Sequence, residues 1–570
     1  MATASTKSRN RKKERRTEAA TKVIPQTAAA LPQSHDLSNR AWLVSSVVIM
    51  GVAAVLRLYD LALVPFHHDE GVNGNFLVRL VREGYYHYDP ANYHGPTLYY
   101  FSAVIPWILR FLSGTSAQNA YGLNTVTVRL VPVVFGLATI WLVLLLRRRI
   151  GTVGTLCAAT LLAISPGAVY LSRYFIHETL FVFFTLGIVV AALKYYDSGK
   201  SLYLLLASIS AALLFATKET AVISVAVLAI AWITKELYLW MLNGFRRKNH
   251  KGSKQRRAEH RTKQNEITNV WDRLGGIRKV ALLSVIAIAV FVALNILFYS
   301  SFFTNYPQGV YDAVKTFEFW TKTGKEAHVH PLTTYFWWLL RQETPVITLG
   351  IIGAALAVLK PRNHFALFSA LWAFGLLAAY SLIRYKTPWL VLNFVGPLAL
   401  ISGYAMQSVY DWALGEIRLV IAVMLLAVAI SGYKTIDLNF FNYDNDAQSY
   451  VYVYAHTRRE MLAMVKEIES VAERTNRGNK LGVTIVSPDY WPLPWYLRDY
   501  TGVGYHGRMT SSNEPVIIAS ESQGAEIETN FGDRYQQVPS GFNSANSYPL
   551  RPGVNLLLYV RRDTAGPTRQ

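Results

Sequence analysis

The sequence predicts an α-helical, multi-span membrane protein with about eleven spans and a C-terminal α/β domain on the extracytoplasmic side. Three observations predict it. The 570-residue chain is 52% hydrophobic, with a mean hydropathy of +0.20, too apolar for an ordinary soluble protein. Its apolar residues gather in runs long enough to cross a hydrocarbon layer, which takes roughly 20 helical residues. Its positive charge sits beside those runs. Residues 1–40 hold nine Lys/Arg against three acids, and residues 235–279 hold thirteen against four. A net charge of +21 placed this way marks cytoplasmic flanks rather than a nucleic-acid surface. Contact with anionic lipid headgroups follows as a secondary effect.

The first 40 residues are basic, polar and Ala/Thr-rich. They read as a disordered cytoplasmic tail before a signal-anchor helix. Residues 41–433 form the transmembrane domain. Apolar runs lie near 42–58, 97–113, 126–146, 153–171, 178–193, 201–217, 220–240, 280–299, 345–359, 364–383, 388–408 and 417–433. Charge decides which of them cross. With the tail inside, a crossing at 97–113 would send Arg147, Arg148 and Arg149 outside, against the charge rule. Residues 97–113 are therefore expected to lie in or on the outer leaflet. The loops 59–96 and 300–344 then fall outside, and the basic loop 241–278 falls inside. The localisation expected is the plasma membrane, with a cytoplasmic N-terminus.

From residue 434 onward the apolar runs shorten: LGVTIV at 481–486, PVIIA at 515–519 and VNLLLYV at 554–560. Residues 457–474 carry an amphipathic helical pattern. Together they predict an extracytoplasmic α/β domain over 434–570. Cys157 is the single cysteine, so no intrachain disulfide forms.

The outer loop reads RLYDLALVPFHHDEGVNGNF, then EGYYHYDPANYHGPTLYYF. Asp69 and Glu70 are adjacent carboxylates just beyond the first span. A carboxylate there suits a general base that takes a proton from an acceptor hydroxyl. The bland alternative is a pair of solvated acids beside an aromatic belt. Tyr93, Tyr385 and Asp89 are candidate substrate contacts. The nearby histidines, His68 and His94 among them, together with His177 and Glu178, are candidates for a divalent metal, although no metal-ligand spacing motif is present. Nothing else in the chain points to a cofactor.

Three further clusters fall at outer boundaries: SRYFIHETL, ATKETA and RYKTPWL. They place Arg173, Lys218, Arg384 and Lys386 with Arg57 near one surface, against the usual charge bias. Each alone is explained by snorkelling to headgroups. Converging beside carboxylates, they suit a lipid-linked phosphate, which Arg binds bidentately and Lys as a point charge. The loop 300–344, with Tyr306, Trp320, Trp337 and His330, reads either as an amphipathic cover or as an interfacial belt. SPDYWPLPWYLRDY in the outer domain reads as a glycan contact or as a packed loop.

These segments resemble, in order over residues 45–405, the GT-C class of membrane glycosyltransferases. They are nearest in pattern to the protein O-mannosyltransferase and aminoarabinose-transferase superfamily. NYHGPTLYYF resembles its His-Pro-Pro-Leu-Tyr segment, with Gly95 at the first proline. SRYFIHETL resembles its Arg-to-acid segment, with Glu178 where Asp is frequent. ATKE resembles its Thr-Lys-Gly segment. The HHDEG and YHGP segments and the long tail resemble a prokaryotic branch named for an association with flippase activity. The resemblance implies a GT-C-like domain and a polyprenyl-phosphate-linked sugar donor. It makes Asp69 the base, with Glu70 and Glu178 shaping the acidic site or holding a metal, and Arg173, Lys218 and Arg384 on the lipid phosphate. The expected reaction is sugar transfer to an acceptor hydroxyl on protein, lipid or glycan. The competing expectations are a lipid-linked-sugar flippase and a non-catalytic presenting subunit.

Overall fold

The computed structural model describes residues 37–92, 94–113, 122–249, 273–322, 329–447 and 449–564. Most of the expected tail, most of the basic loop 241–278, Tyr93 and His328 lie outside the described residues.

Helices dominate the first 440 residues. They are α1 (Asn39–Leu58), α2 (His68–Glu83), α3 (Thr97–Ser113), α4 (Thr125–Leu144), α5 (Thr152–Ala163), α6 (Pro166–Ser172), α7 (Glu178–Ser198), α8 (Ser201–Phe215) and α9 (Ala221–Asn249). There follow α10 (Gly276–Tyr299), α11 (Gln308–Lys322), α12 (Thr334–Gln342), α13 (Thr344–Leu359), α14 (His364–Leu382), α15 (Leu392–Trp412) and α16 (Ile417–Ile436). Eight helices among the described residues are long and apolar enough to cross a membrane, or ten if each of two bent pairs counts as one span. In lipid the backbone has no other partner for its polar groups, so such runs close their own hydrogen bonds.

Burial separates the spans. The segment Pro388–Trp412 is 89% buried and lies at the centre, whereas Gly276–Tyr299 is peripheral, packing along α8 and leaving much of its apolar surface outward. The central helix α15 packs against α5 and α13. A Cβ on Gly403 would run into the carbonyl oxygen of Gly154, so this close crossing needs a small residue on both sides.

The span count differs from the expected eleven for a local reason. The run 153–171 is α5 and α6 bent by 57°, and the run at 345–359 begins in α12–α13, bent by 114°. Both bends meet at Glu343, which is 0% exposed. Its Oε1 accepts from Ser165 Oγ (2.9 Å), Gly167 N (2.8 Å) and Tyr452 OH (3.1 Å). A carboxylate that takes three donors, two from the α5–α6 bend and one from Tyr452, is invisible to a hydropathy average. The expected span at 201–217 is the 15-residue helix α8, short for a crossing.

Helix α3 has the path expected of a non-crossing segment. Thr97 N donates to Ala216 O at one end (3.2 Å). By Leu123 the chain is back at that same end, where Leu123 O accepts from Arg498 of the C-terminal domain (2.8 Å). At the opposite end Arg147 reaches Asn39 (3.1 Å), and Arg149 reaches Asp197 (2.5 Å) with its carbonyl on Asn363 (2.6 Å). The start of α1 thus meets the ends of α4 and α7 and the start of α14 on one face, as the charge pattern requires.

The C-terminal domain is a six-stranded mixed sheet with α17 (Met461–Arg474) against it. Its strands are β1 (Gly482–Ile485), β2 (Gly502–Tyr505), β3 (Val516–Ser520), β4 (Tyr535–Gln537), β5 (Tyr548–Arg551) and β6 (Val554–Arg561). The order is β2-β1-β3-β6-β4, with β5 also on β6. β1 runs parallel to β2 and β3, and β6 is antiparallel to its neighbours. The apolar face of α17 (Met461, Met464, Ile468, Val471) packs with Val483, Ile485, Ile518 and Leu558. β1, β3 and β6 coincide with the three apolar runs; β2 (GVGY), β4 (YQQ) and β5 (YPLR) lie outside any apolar run and carry no such signal.

Candidate active site

Helix α2 starts where the acidic pair stands. His67 caps it: His67 Nδ1 accepts from Asp69 N (3.1 Å), and Glu70 Oε2 accepts from His67 N (3.0 Å). This is a reciprocal capping box built on an imidazole. Neighbouring helical residues diverge by about 100°, so the two carboxylates face different surroundings. Glu70 is 0% exposed and takes Arg129 bidentately, at 2.7 and 2.5 Å, with Phe175 N at 2.7 Å. Arg129 also donates to the carbonyls of Leu61 and Val64, each at 2.9 Å. Asp69 instead keeps a side chain that is 40% exposed, 3.9 Å from His67 Nδ1. Arg129 was missed in the sequence because TVTVRLV is averaged into an apolar run.

The expected cations separate into three kinds. Arg57 and Arg173 are buried and spend their guanidinium groups on backbone. Arg57 donates to Ala163 O (2.9 Å) and Leu162 O (3.3 Å), closing the end of α5. Arg173 donates to Tyr59 O (2.6 Å) and Asp60 O (2.8 Å), closing the end of α1. These are helix-end carbonyls without intrahelical partners. Arg57, expected at the surface, is 1% exposed because that end of α5 is itself internal. Lys218 pairs with Glu178 at 2.5 Å, both 4% exposed. Burial pulls the Lys218 ammonium down, but Glu178 and Glu219 outweigh it and hold its pKa above the usual lysine value. Arg384 is exposed, its carbonyl accepting from His330 N (3.2 Å). Lys386, two residues on, is buried and donates to Ile383 O (2.5 Å).

The non-helical turn 173–177 ties these parts together. Phe175 N holds Glu70, and Phe175 O accepts from Asn73 of α2 (3.0 Å), whose Oδ1 accepts from Tyr99 OH (3.0 Å). His177 Nε2 bonds to Gly95 O (3.0 Å), and Glu178 reaches Lys218. Gly95 N in turn donates to Thr217 O (3.0 Å). The departure at Gly95 has a steric reason: a Cβ there would collide with the carbonyl of Ala216. His94 bonds to Glu219 at 3.3 Å, and its ring lies 5.0 Å from that of His177. The RYKTPWL turn joins from the other side through Trp389, 6.0 Å from Tyr454, whose carbonyl meets His67 Nε2 at 2.9 Å. Tyr385 pairs with Val329 in an isolated bridge. Asp89 is exposed and accepts from Ala91 N (2.8 Å), capping a local turn.

Burial sets the histidines. It holds His177 and His456 well below the usual imidazole range, and His68 below it to a lesser degree. His456, in the segment leading to the C-terminal sheet domain, packs its ring 5.0 Å from His67; nothing in its sequence context marked it. The metal expectation does not fit these groups. Among the described residues no three His, Cys, Asp or Glu side chains are arranged to hold an ion. A lysine ammonium already neutralises Glu178, and His68 lies with Arg551 rather than with His94 and His177.

Residues 101–244 match the family described as dolichyl-phosphate-mannose-protein mannosyltransferase. The matched stretch includes Arg129, Arg173, Glu178 and Lys218 but begins after the Asp69–Glu70 loop. A comparison with curated protein sequences gives no match. Among solved structures, ArnT from Cupriavidus metallidurans bound to undecaprenyl phosphate aligns with a TM-score of 0.59 at 12% identity, covering 93% of this chain and 100% of that one. Archaeal oligosaccharyltransferase AglB from Archaeoglobus fulgidus, in complex with an inhibitory peptide and a dolichol-phosphate, aligns with a TM-score of 0.50 at 16% identity, over 85% of this chain and 70% of that one. The chain is thus a multi-span membrane protein with the fold of the GT-C class of membrane glycosyltransferases, carrying the mannosyltransferase-family signature over residues 101–244.

Proposed function

We propose that this protein transfers a sugar from a polyprenyl-phosphate donor to an acceptor hydroxyl, at the membrane face that carries the sheet domain. The observation that carries the reading is the division between neighbours: Glu70 is locked to Arg129, while Asp69 is 40% exposed. Asp69 takes the proton from the acceptor hydroxyl. The acceptor oxygen bonds to the anomeric carbon as the bond from that carbon to the phosphate oxygen breaks. The electron pair leaves on the polyprenyl phosphate, and the configuration inverts. That leaving group is already anionic, so cations serve it better than a strong general acid does. Arg384, exposed on the RYKTPWL turn, is the donor-phosphate contact. Lys386 adds charge behind it, while Arg57, Arg173 and Lys218 hold the scaffold. Glu178 and His177 brace the turn that positions Glu70.

Structural relatives in complex with undecaprenyl phosphate and with a dolichol-phosphate support a polyprenyl-phosphate donor arriving from the bilayer. The clustering of charged groups at one end favours an enzyme over a flippase, which needs polar positions along a path through the membrane. The face is extracytoplasmic in this reading, with the N-terminus cytoplasmic; cysteine-accessibility tags at residues 255 and 450 test that.

The activity test supplies purified protein with a panel of polyprenyl-phosphate sugars and follows transfer and donor hydrolysis. Turnover by the natural protein that falls about 10²–10⁴-fold in Asp69→Asn, with donor binding retained, is the expected result. Donor binding without turnover in both proteins supports a presenting subunit, and lipid flip in liposomes without sugar transfer supports a flippase; either overturns the enzyme reading.

A further inference from the structure

We propose that the outer domain carries a carbohydrate-acceptor subsite, formed by Asp489, Tyr490, Trp491, Tyr505 and Arg551 together with His68. It rests on the reading of Asp69 as the base and names the substrate class that reaches it.

The sheet domain sits directly on the acidic loop. A Cβ on Gly71 would stand 2.7 Å from Pro492 Cβ, and one on Gly74 would stand 2.6 Å from the Trp495 ring. Trp495 stacks on Phe66 with 4.3 Å between centroids and 10° between planes. Phe66 N donates to Tyr496 OH (2.8 Å). At the far end of α2, Arg82 pairs with Asp499. The SPDYWPLPWYL loop is therefore fixed against α2, and whatever it presents stands beside Asp69.

What it presents is polar and aromatic. The β5–β6 register shifts between Pro549 and Arg551, an irregularity of the kind that re-aims a side chain. Arg551 there pairs with Asp489 and donates to Trp491 O (3.5 Å) and His68 Nδ1 (3.4 Å). His68 immediately precedes Asp69. Asp489 remains about half exposed, at 48%, while the Arg551 side chain that holds it is 16% exposed. Arg551 takes Oδ1 of Asp489, which leaves Oδ2 as an acceptor for a ligand hydroxyl. Alongside run three rings. Tyr490 lies 5.7 Å from Trp491 at 33° and 5.2 Å from Tyr505 at 41°. Tyr505 is 36% exposed.

Ring faces beside a carboxylate–guanidinium pair match a sugar, whose C–H face covers an aromatic plane while its hydroxyls meet planar hydrogen-bonding groups. A peptide would use the open edge of β2 by strand addition. That edge reads Gly502, Val503, Gly504, Tyr505, which offers few side chains for sequence selection.

The test uses the full chain in detergent, with neutral oligosaccharides and Ser/Thr-containing peptides as acceptors. Asp489→Asn and Tyr505→Ala are chosen because both positions are partly exposed; melting temperature checks that they fold. The expected result is transfer to oligosaccharide, with KM for that acceptor raised about tenfold or more in both variants, kcat changed less than about threefold, and donor hydrolysis in water unchanged. Transfer to peptide alone, or an unchanged acceptor KM in both variants, overturns the subsite. Oligosaccharide binding is also measured without donor, by tryptophan fluorescence. If no donor turns over, the transferase reading fails alone when binding is present in the natural protein and lost in Tyr505→Ala. The subsite fails as well when binding is absent or unaffected.

Discussion

Asp69 and Glu70 are adjacent in the chain and opposite in circumstance. Glu70 is enclosed, with a bidentate arginine and two backbone donors; Asp69 is partly exposed beside the C-terminal sheet domain. The same division runs through the cations. Arg129 and Lys218 neutralise buried acids, Arg57 and Arg173 close helix ends, and Arg384 stays exposed. Charge near a membrane face therefore has two uses here. Paired charge builds the scaffold, and in the proposed reaction open charge is left for the substrate. Removing a paired group should cost stability, whereas removing an open one should cost turnover or affinity.

The largest stability loss is expected at Arg129. Arg129→Met leaves the Glu70 carboxylate buried and unpaired, which costs about 3–5 kcal/mol; thermal unfolding in detergent should show a large drop or failure to fold. Adding Glu70→Gln should recover part of it, because the stranded charge is gone. Next is Gly95→Pro, which loses the N–H donated to Thr217 and drives a Cβ into Ala216 O. Overpacking of this kind costs about 1–3 kcal/mol, read in the same assay.

A smaller, pH-dependent effect follows from the histidines. His177, His456 and His68 hold their protons more weakly in the folded protein than in the unfolded chain. The unfolded chain therefore takes up protons first as pH falls past about 6.5, so stability drops on acidification and is regained above that value. Melting temperature measured from pH 7.5 down to 5 should fall, and the fall should shrink in His456→Gln. The smallest stability effect belongs to Arg384→Gln, which should leave melting nearly unchanged while raising KM for the polyprenyl-phosphate donor.

Legibility followed the same division. Spans, the amphipathic helix α17 and the strands β1, β3 and β6 are written in hydrophobic periodicity, which reports burial averaged over many residues. The gathering of 67–71, 94–97, 173–178 and 217–219 at one end followed from charge placement along the chain. Which charge pairs with which did not. Arg129 is one cation inside an apolar run, and its partner is 59 positions away. Glu343 looks like a loop acid, yet it holds two helix bends. Arg551 reaches His68 across 483 residues. Such pairings depend on tertiary geometry, which local pattern does not encode.

The direct test of the split is a matched pair of near-isosteric substitutions, Asp69→Asn and Glu70→Gln, scored for melting temperature and for sugar transfer per folded molecule. The account predicts that Asp69→Asn melts like the natural protein and loses transfer, whereas Glu70→Gln melts markedly lower and loses transfer in proportion to its unfolded fraction. Full transfer by a folded Asp69→Asn protein, or a Glu70→Gln protein that is stable yet inactive, would contradict it.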